Sequence, residues 1–111
     1  MMKELTKAKE LVLLTIWRMG DDAYGVTIKR KIKEKTGKEI PYGTLYFLLD
    51  QLTLKEYVSK IAGEPTSERG GRSKTYYRIT PEGRNSLKKA FEMYQIIWGD
   101  LTRVSFEGKS G

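Results

Sequence analysis

Glycine and proline divide the first half of the chain into three short helical segments, and this division limits the folds open to it. Gly20 and Gly37 each follow a segment with helical apolar periodicity, and both are natural helix stops. Pro41 disfavours helical backbone at the residue before it, so a third helix is expected to begin near Tyr42. The sequence therefore predicts helices over residues 5–19, 24–36 and from 42 onward.

The second expected helix is strongly basic. Asp21 and Asp22 precede it and offer an N-cap, and Tyr24, Ile28 and Ile32 are expected on its inward side. A run of like charges more often marks a solvated face than a phosphate-binding one, so this run does not decide the function. The cations are Lys29, Arg30, Lys31, Lys33 and Lys35.

The third expected helix has a single apolar stripe, formed by leucines at positions i, i+3, i+4 and i+7. The stripe must face the core, which leaves the opposite face to solvent or to a partner. Tyr42 and Tyr46 are expected on opposite flanks of the stripe, and for Tyr46 packing in the core is as good an interpretation as contact with a partner. The stripe consists of Leu45, Leu48, Leu49 and Leu52, and the opposite face of Thr44, Phe47, Asp50 and Gln51.

Two strand-like segments and a long helix follow. Residues 57–61 and 75–80 are rich in β-branched and aromatic side chains, and a glycine-containing loop connects them as a hairpin. Thr80 and Pro81 form a clean helix start, because threonine is a good N-cap and proline suits the first helical position. The last helix is expected over residues 81–102.

The last helix carries apolar residues spaced four, three, four and three apart, which is the heptad pattern of helix-on-helix packing. One small domain cannot cover this seam alone, so we expect a second copy of the chain, related by twofold symmetry, to cover it. The expected dimer residues are Leu87, Phe91, Tyr94, Trp98 and Leu101.

The order of elements, three helices followed by a hairpin and a fourth helix, is that of a winged helix-turn-helix. The predicted fold class is mainly α with a small β-hairpin, in which the winged helix-turn-helix is followed by a C-terminal dimerisation helix. The expected divisions are a DNA-binding domain over residues 1–80, the dimerisation helix over 81–104 and a flexible tail over 105–111.

Composition limits the classes of function that this chain can have. A chain of 111 residues makes one domain, and its net charge of +7 suits nucleic acid or an anionic membrane surface. The absence of Cys and His removes thiol nucleophiles, imidazole bases and most zinc sites, so no enzyme, metal site or cofactor is expected. No apolar run reaches the ~18 residues of a membrane span and no signal peptide is visible, which predicts a cytoplasmic protein without a membrane partner.

Two groups of residues are candidates for binding DNA. Around the hairpin loop, four cations without an intervening acid are placed to contact phosphates or a narrow groove: Arg69, Arg72, Lys74 and Arg78. The alternative for these four is a solvated basic loop. On the third helix, the first turn offers free N–H groups to phosphates, and three further side chains are candidates for base edges or thymine methyl groups. These residues are Tyr42, Gly43 and Thr44 in the first turn, followed by Tyr46, Phe47 and Gln51.

Six short motifs lie at residues 11–14, 23–25, 43–46, 70–72, 76–80 and 82–84. Taken in this order, they resemble the PadR-like family of transcriptional regulators across roughly residues 5–90. Two departures from the family pattern stand out, since the family usually has Gly where Glu56 stands and Pro or a small residue near Phe47.

The resemblance implies a dimer formed by the C-terminal helix. In some short-tailed members, aromatic residues of this helix also border a cleft for flat hydrophobic ligands, which makes Trp98 a candidate contact for a small hydrophobic effector. Packing of Trp98 in the dimer interface is the favoured interpretation.

The sequence thus predicts a transcriptional regulator, a homodimeric repressor that binds a specific, pseudo-palindromic duplex operator. The alternative is a winged-helix module for protein–protein assembly that does not bind DNA. The four cations of the hairpin loop and the net charge of +7 argue against that alternative.

Overall fold

The computed structural model describes residues 5–65 and 73–101, which form four α-helices and a two-stranded antiparallel sheet. This order confirms the predicted fold class of a mainly helical chain with a small hairpin. The elements are α1 (Lys7–Met19), a 3-10 turn (Gly20–Asp22), α2 (Gly25–Thr36), α3 (Tyr42–Leu54), β1 (Val58–Pro65), β2 (Ser73–Ile79) and α4 (Pro81–Leu101).

The core lies where the apolar stripes of the first three helices meet above the hairpin. The leucine stripe of α3 is buried there as predicted, because a helix with one apolar face must turn that face away from water. The other three helices and both strands contribute buried side chains to the same cluster: Val12, Leu13, Ile16, Ile28, Ile32, Val58, Tyr77 and Leu87.

The predicted helix ends are confirmed at both glycines. Gly20 has a φ of 67° and follows α1, and Gly37 has a φ of 78° and follows α2. Positive φ is strained for residues with a Cβ, so glycine at these two positions ends each helix without strain. At its other end, α1 is capped by Thr6, whose hydroxyl accepts a hydrogen bond of 3.2 Å from the N–H of Lys9.

The expected capping of α2 by Asp21 or Asp22 is wrong. Both residues belong to the 3-10 turn, and α2 begins only after Tyr24. The hydroxyl of Thr27 takes the capping role, since it accepts from the N–H of Tyr24 at 3.0 Å and donates to the carbonyl of Asp22 at 2.6 Å. A threonine in the first turn of α2 therefore holds the segment that precedes it.

The hairpin is attached to the start of α2. β1 and β2 pair from Val58 opposite Ile79, and both strands extend further toward the loop than predicted. The N–H of Tyr77 donates to the carbonyl of Ala23 at 2.8 Å, so the segment before α2 adds a further backbone contact to β2. This contact fixes the position of the hairpin, which we call the wing, relative to α2.

Thr80 joins the end of α3, the hairpin and α4. Its hydroxyl donates to the carbonyl of Glu56 at 2.7 Å and accepts from the N–H of Gly83 at 3.0 Å, which confirms Thr80 as the cap of α4. Its backbone N–H donates to the carbonyl of Tyr57 at 3.0 Å. Glu56 has a φ of 63°, the left-handed conformation that a glycine would adopt freely at the exit of a helix.

The two halves of α4 differ in their surroundings. Leu87 is buried in the core, whereas Ile96, Ile97 and Trp98 near the other end are exposed within the single chain. Across residues 5–65 and 73–101, no helix is long and apolar enough to span a membrane.

Candidate nucleic-acid interface

The outward face of α3 is aromatic and polar. Phe47 is 60% exposed, and Thr44 and Asp50 are also exposed, while Gln51 is half-buried at the edge of the face. The predicted division of α3 into a buried leucine stripe and an outward face is therefore observed. Gly43 is exposed, and the space above its Cα is open, so another molecule can approach this turn closely.

The first turn of α3 has free donors. Pro41 precedes the helix and has no side chain that caps it, and the first backbone bond of the helix runs from the N–H of Leu45 to the carbonyl of Pro41. The preceding N–H groups thus point out of the helix end, where the helix dipole favours an anion.

Tyr42 and Tyr46 lie on the same flank of α3, so their expected placement on opposite flanks is wrong. Their rings stack with centroids 6.2 Å apart, because residues four apart in a helix are neighbours on its surface. The ring of Tyr46 lies directly over Gly25, where an added Cβ would come within 2.7 Å of Cζ. Tyr46 is still exposed, so it packs against α2 at the surface rather than in the core.

Two ion pairs of Glu39, with Lys29 and Lys33, hold the turn between α2 and α3, and we call them the Glu39 clamp. The Glu39 carboxylate accepts hydrogen bonds from Lys33 at 2.7 Å and from Lys29 at 3.1 Å, and these two partners lower the pKa of its carboxyl group. Lys29 also donates to the carbonyl of Ile40 at 2.7 Å and lies 5.2 Å from the centre of the Tyr42 ring. Two of the five cations of α2 thus position the start of α3 from within the chain.

The base of the wing carries two of the four predicted cations. The Lys74 ammonium lies 4.4 Å from the centre of the Tyr24 ring, and Tyr24 packs edge-on against Tyr76. Arg78 is exposed and forms an ion pair of 2.7 Å with Asp21. The other two predicted cations, Arg69 and Arg72, lie outside the described residues.

Contacts through the start of α2 join the outward side of α3 and the base of the wing into one candidate surface. Tyr46 covers Gly25, the neighbouring Tyr24 lies under the ammonium of Lys74, and β2 carries Lys74 toward the loop. We call this surface the α3–wing face and define it by Tyr42, Gly43, Thr44, Tyr46, Phe47, Gln51, Lys74 and Arg78. Its members are the described residues of the two predicted groups.

A second surface feature is an apolar groove between α1 and α4, with a volume of about 890 Å³. The α1 side of this α1–α4 groove includes Leu14 and Trp17, which are exposed within the single chain. The sequence shows a first helix that is apolar on more than one face, but neither residue is among the expected dimer residues, although their spacing of three places them on one helix face. The remaining apolar lining includes Leu11, Leu87, Phe91 and Tyr94.

The heptad seam of α4 divides into two parts. Leu87 is buried in the core, and seven residues later Tyr94 packs on α1, where its hydroxyl donates to the carboxylate of Glu10 at 3.1 Å. Phe91 and Trp98, also seven residues apart, remain 59% and 49% exposed. Leu101 is the last helical residue that the structure describes.

The described residues contain no cluster of acidic, histidine or cysteine side chains that could hold a metal ion. The clusters of charge at the α3–wing face are basic or ion-paired, and they contain no pair of a nucleophile and a base. The chemistry available at this face is the binding of an anion by cations, N–H groups and hydroxyls, beside an aromatic surface.

Comparison with known proteins supplies the relatives of this chain. The model of the transcriptional regulator PadR-like family matches residues 12–89. No curated protein matches the chain significantly.

Solved structures with the same fold were also found. A transcriptional regulator from Clostridium thermocellum is 29% identical, with a TM-score of 0.69, and the alignment covers 87% of this chain and 91% of that one. The complex structure of hsRosR-S1 is 30% identical, with a TM-score of 0.64, over 82% of this chain and 73% of that chain. A PadR-like transcription factor from Bacteroides fragilis, 23% identical with a TM-score of 0.74 over 88% and 89% of the two chains, shares the fold.

Proposed function

The chain belongs to the PadR-like family of transcriptional regulators, and we propose that it is a homodimeric repressor that binds a pseudo-palindromic DNA operator through its α3–wing face. Members of this family are transcriptional regulators rather than enzymes, which confirms the expectation that this chain is not an enzyme. Family membership implies DNA-binding regulation, and the operator, the dimer and the direction of regulation are our proposal.

The contacts that link α3 to the base of the wing are the observation that carries the proposal. A helix in the major groove and a basic wing on the adjacent backbone must lie on one side of the domain to engage the same stretch of duplex. Tyr46, Gly25, Tyr24 and Lys74 form an unbroken series of contacts between the two parts. The first turn of α3 would hold a phosphate, and the side chains after it would contact base edges.

The proposed dimer follows from apolar surface that one chain leaves uncovered. Phe91, Ile96 and Trp98 on α4 and Leu14 and Trp17 beside the α1–α4 groove are exposed within the single chain. A twofold axis would place the distal half of each α4 against the groove of the other copy, so that both surfaces are covered at once. Two α3–wing faces related in this way would contact half-sites about one helical turn of DNA apart, about 34 Å.

Selection of bound duplexes from a random pool tests the proposal. We expect an enriched pseudo-palindrome whose affinity falls steeply with salt, with a log–log slope of about −0.9 for each phosphate neutralised. Transcription in vitro from a promoter that overlaps the selected sequence should decrease when the protein is added. An unenriched pool together with salt-independent binding would favour the protein–protein assembly module.

The wing is tested separately with Arg72→Ala. This substitution should weaken binding to the selected duplex without lowering the melting temperature, since Arg72 is predicted in the loop at the tip of the hairpin. Lys35→Ala, which removes the same charge at the far end of α2, is the matched control. Equal affinity of the Arg72→Ala protein and the parent protein would contradict a wing contact with DNA.

A further inference from the structure

α3, the helix that we propose enters the major groove, has no basic residue. The thirteen residues of α3 include no Lys or Arg and one acid, Asp50, which lies 3.9 Å from Lys60 on β1. Guanine is most often recognised by a bidentate Arg or Lys at its O6 and N7 atoms. α3 therefore lacks the usual means of recognising guanine, and its largest exposed side chains are aromatic and aliphatic.

The aromatic side chains of α3 are not equally available to a partner. Tyr42 and Tyr46 stack on each other, and each has a further contact, Tyr42 with Lys29 and Tyr46 with Gly25. Among the residues that the structure describes, the aromatic pairs are Tyr24–Tyr76 and Tyr42–Tyr46, and Phe47 belongs to neither. Phe47 is 60% exposed and projects from the face opposite the buried leucines.

We propose that Phe47 determines sequence specificity by packing against the C5-methyl group of thymine in each half-site. This inference rests on the proposed function and assigns one side chain to one chemical group of the DNA. In the major groove, a thymine differs from the other bases by its C5-methyl group, and apolar side chains contact that group favourably. This contact would remove the exposed ring of Phe47 from water. A small side chain at this position would not reach the methyl group.

The polar neighbours of Phe47 fit the same base pair. Thr44 precedes Phe47 by one helical turn, and Gln51 follows it by one turn, so both lie beside it on the outward face. A glutamine amide pairs with adenine at N6 and N7, and a threonine hydroxyl is compatible with either partner of the pair. A half-site that contains A·T pairs under the first two turns of α3 is therefore expected.

Replacement of thymine by uracil tests the inference, because it removes the methyl group and leaves base pairing unchanged. The duplex selected from the random pool is resynthesised with deoxyuridine at each thymine position in turn, and binding of the full chain is measured. At the contacted thymine we expect about a fourfold loss of affinity, which corresponds to the ~0.8 kcal/mol of one buried methyl-sized group. Phe47→Ala should bind the thymine and uracil duplexes equally, so the two changes form a double-mutant cycle.

Leu54→Ala provides the matched control. Leu54 is 77% exposed and lies seven residues after Phe47, on the same face but at the far end of α3. The Leu54→Ala protein should keep the full preference for thymine over uracil. Loss of the preference in Leu54→Ala with retention in Phe47→Ala would overturn the assignment, and so would equal affinity of the parent protein for the two duplexes.

Failure of the inference can be distinguished from failure of the proposed function. The parent protein could bind the selected duplex with salt-dependent affinity but make no distinction between thymine and uracil. In that case the proposed DNA-binding function stands and the role assigned to Phe47 is wrong. If no duplex is enriched from the pool, the DNA-binding function itself is wrong.

Discussion

Glu56 has a backbone conformation that glycine adopts more easily. Its φ is 63°, its N–H donates to the carbonyl of Thr53 at 2.9 Å, and its carbonyl accepts from Thr80, so contacts on both sides hold it there. A residue with a Cβ costs about 1–2 kcal/mol in the left-handed region. This is the position where the sequence departs from its family's usual glycine, and the structure retains the conformation despite the departure.

Glu56→Gly is therefore expected to stabilise the protein. Relief of the strain exceeds the ~0.5–1 kcal/mol that the greater freedom of glycine costs in the unfolded chain, which leaves a net gain of about 1 kcal/mol. Such a gain raises the melting temperature of a small domain by about 4 °C or more. Thermal unfolding at one fixed protein concentration measures it.

Glu56→Ala serves as the control for this prediction. Alanine removes the same charge but keeps a Cβ at positive φ, so it should give no comparable gain. If alanine stabilises as much as glycine does, the effect comes from the charge and the strain argument is wrong.

Asp21 neutralises one of the cations assigned to the wing. Its carboxylate lies 2.7 Å from the guanidinium of Arg78, and both side chains are largely exposed. Asp21→Asn should release Arg78 for phosphate contact and raise affinity for the selected duplex by up to about fivefold, the upper range for an exposed ion pair. Binding titrations at low salt measure the change.

Asp22→Asn is the matched control, because Asp22 is the neighbouring exposed acid, whereas the carboxylate paired with Arg78 is that of Asp21. A general electrostatic effect would raise affinity equally in both variants. Equal increases would contradict the specific restraint of Arg78 by Asp21.

At the scale of elements, α2 and α3 are held together by the close approach of Tyr46 to Gly25. Gly25→Ala would push a methyl group into the Tyr46 ring and should destabilise the protein by about 1 kcal/mol or more. In a Tyr46→Ala background the same change should cost nothing, because the space above residue 25 is then open. Chemical denaturation of the four proteins gives the coupling energy.

Gly43→Ala supplies a comparison in the first turn of the neighbouring helix. No atom lies within 4 Å of the position of its Cβ, so alanine there should leave stability unchanged or improve it slightly. A loss of stability in Gly25→Ala that persists without the Tyr46 ring would show that the ring is not the cause.

The helices were the most predictable elements, because their signals are local. Gly20, Gly37 and the Thr80–Pro81 pair each mark a helix end through the conformation of one or two residues, and all three predictions are confirmed. The cap of α2 was not predicted correctly, since Asp21 is drawn instead to Arg78, 57 residues later in the chain. Such a partner depends on how the hairpin docks, which no local pattern specifies.

The outward face of α3 was also predictable, because the leucine stripe fixes the orientation of the whole helix. The contacts between neighbouring side chains on that face were not. Tyr46 packs on Gly25 because α2 crosses α3 at that point, and the Glu39 clamp depends on the path of the intervening turn. Periodicity within one helix contains no information about either.

At the scale of the whole molecule, many of the exposed apolar side chains in the described residues lie on two surfaces, the outward side of α3 and α4 with the groove beside it. The seam of α4 is a single heptad stripe in the sequence, yet Leu87 is buried and Tyr94 packs on α1, while Phe91 and Trp98 are 59% and 49% exposed. Two positions of one heptad thus differ in how much of the side chain is exposed. The inward position stabilises the monomer fold, and the outward position is available for a second copy.

Trp98→Ala is expected to weaken the dimer more than the fold of each chain. Trp98 is 49% exposed in the single chain, so much of its burial would come from the second copy. Complete truncation of a buried aromatic costs ~3–5 kcal/mol, and we expect at least a tenfold increase in the dimer dissociation constant. Sedimentation over a dilution series measures this constant, and Gln95→Ala, an exposed polar position on the same helix, is the control.

The same variant separates the interface from a ligand cleft. In a dimer interface, loss of Trp98 makes the melting temperature fall further as the protein is diluted, and operator affinity falls with it, because two half-sites must be bound together. In a cleft for planar aromatic compounds, the dimer would remain intact and only binding of those compounds would be lost. A Trp98→Ala protein that stays as tightly dimeric as the parent would therefore contradict the interface and assign the exposed indole to an effector.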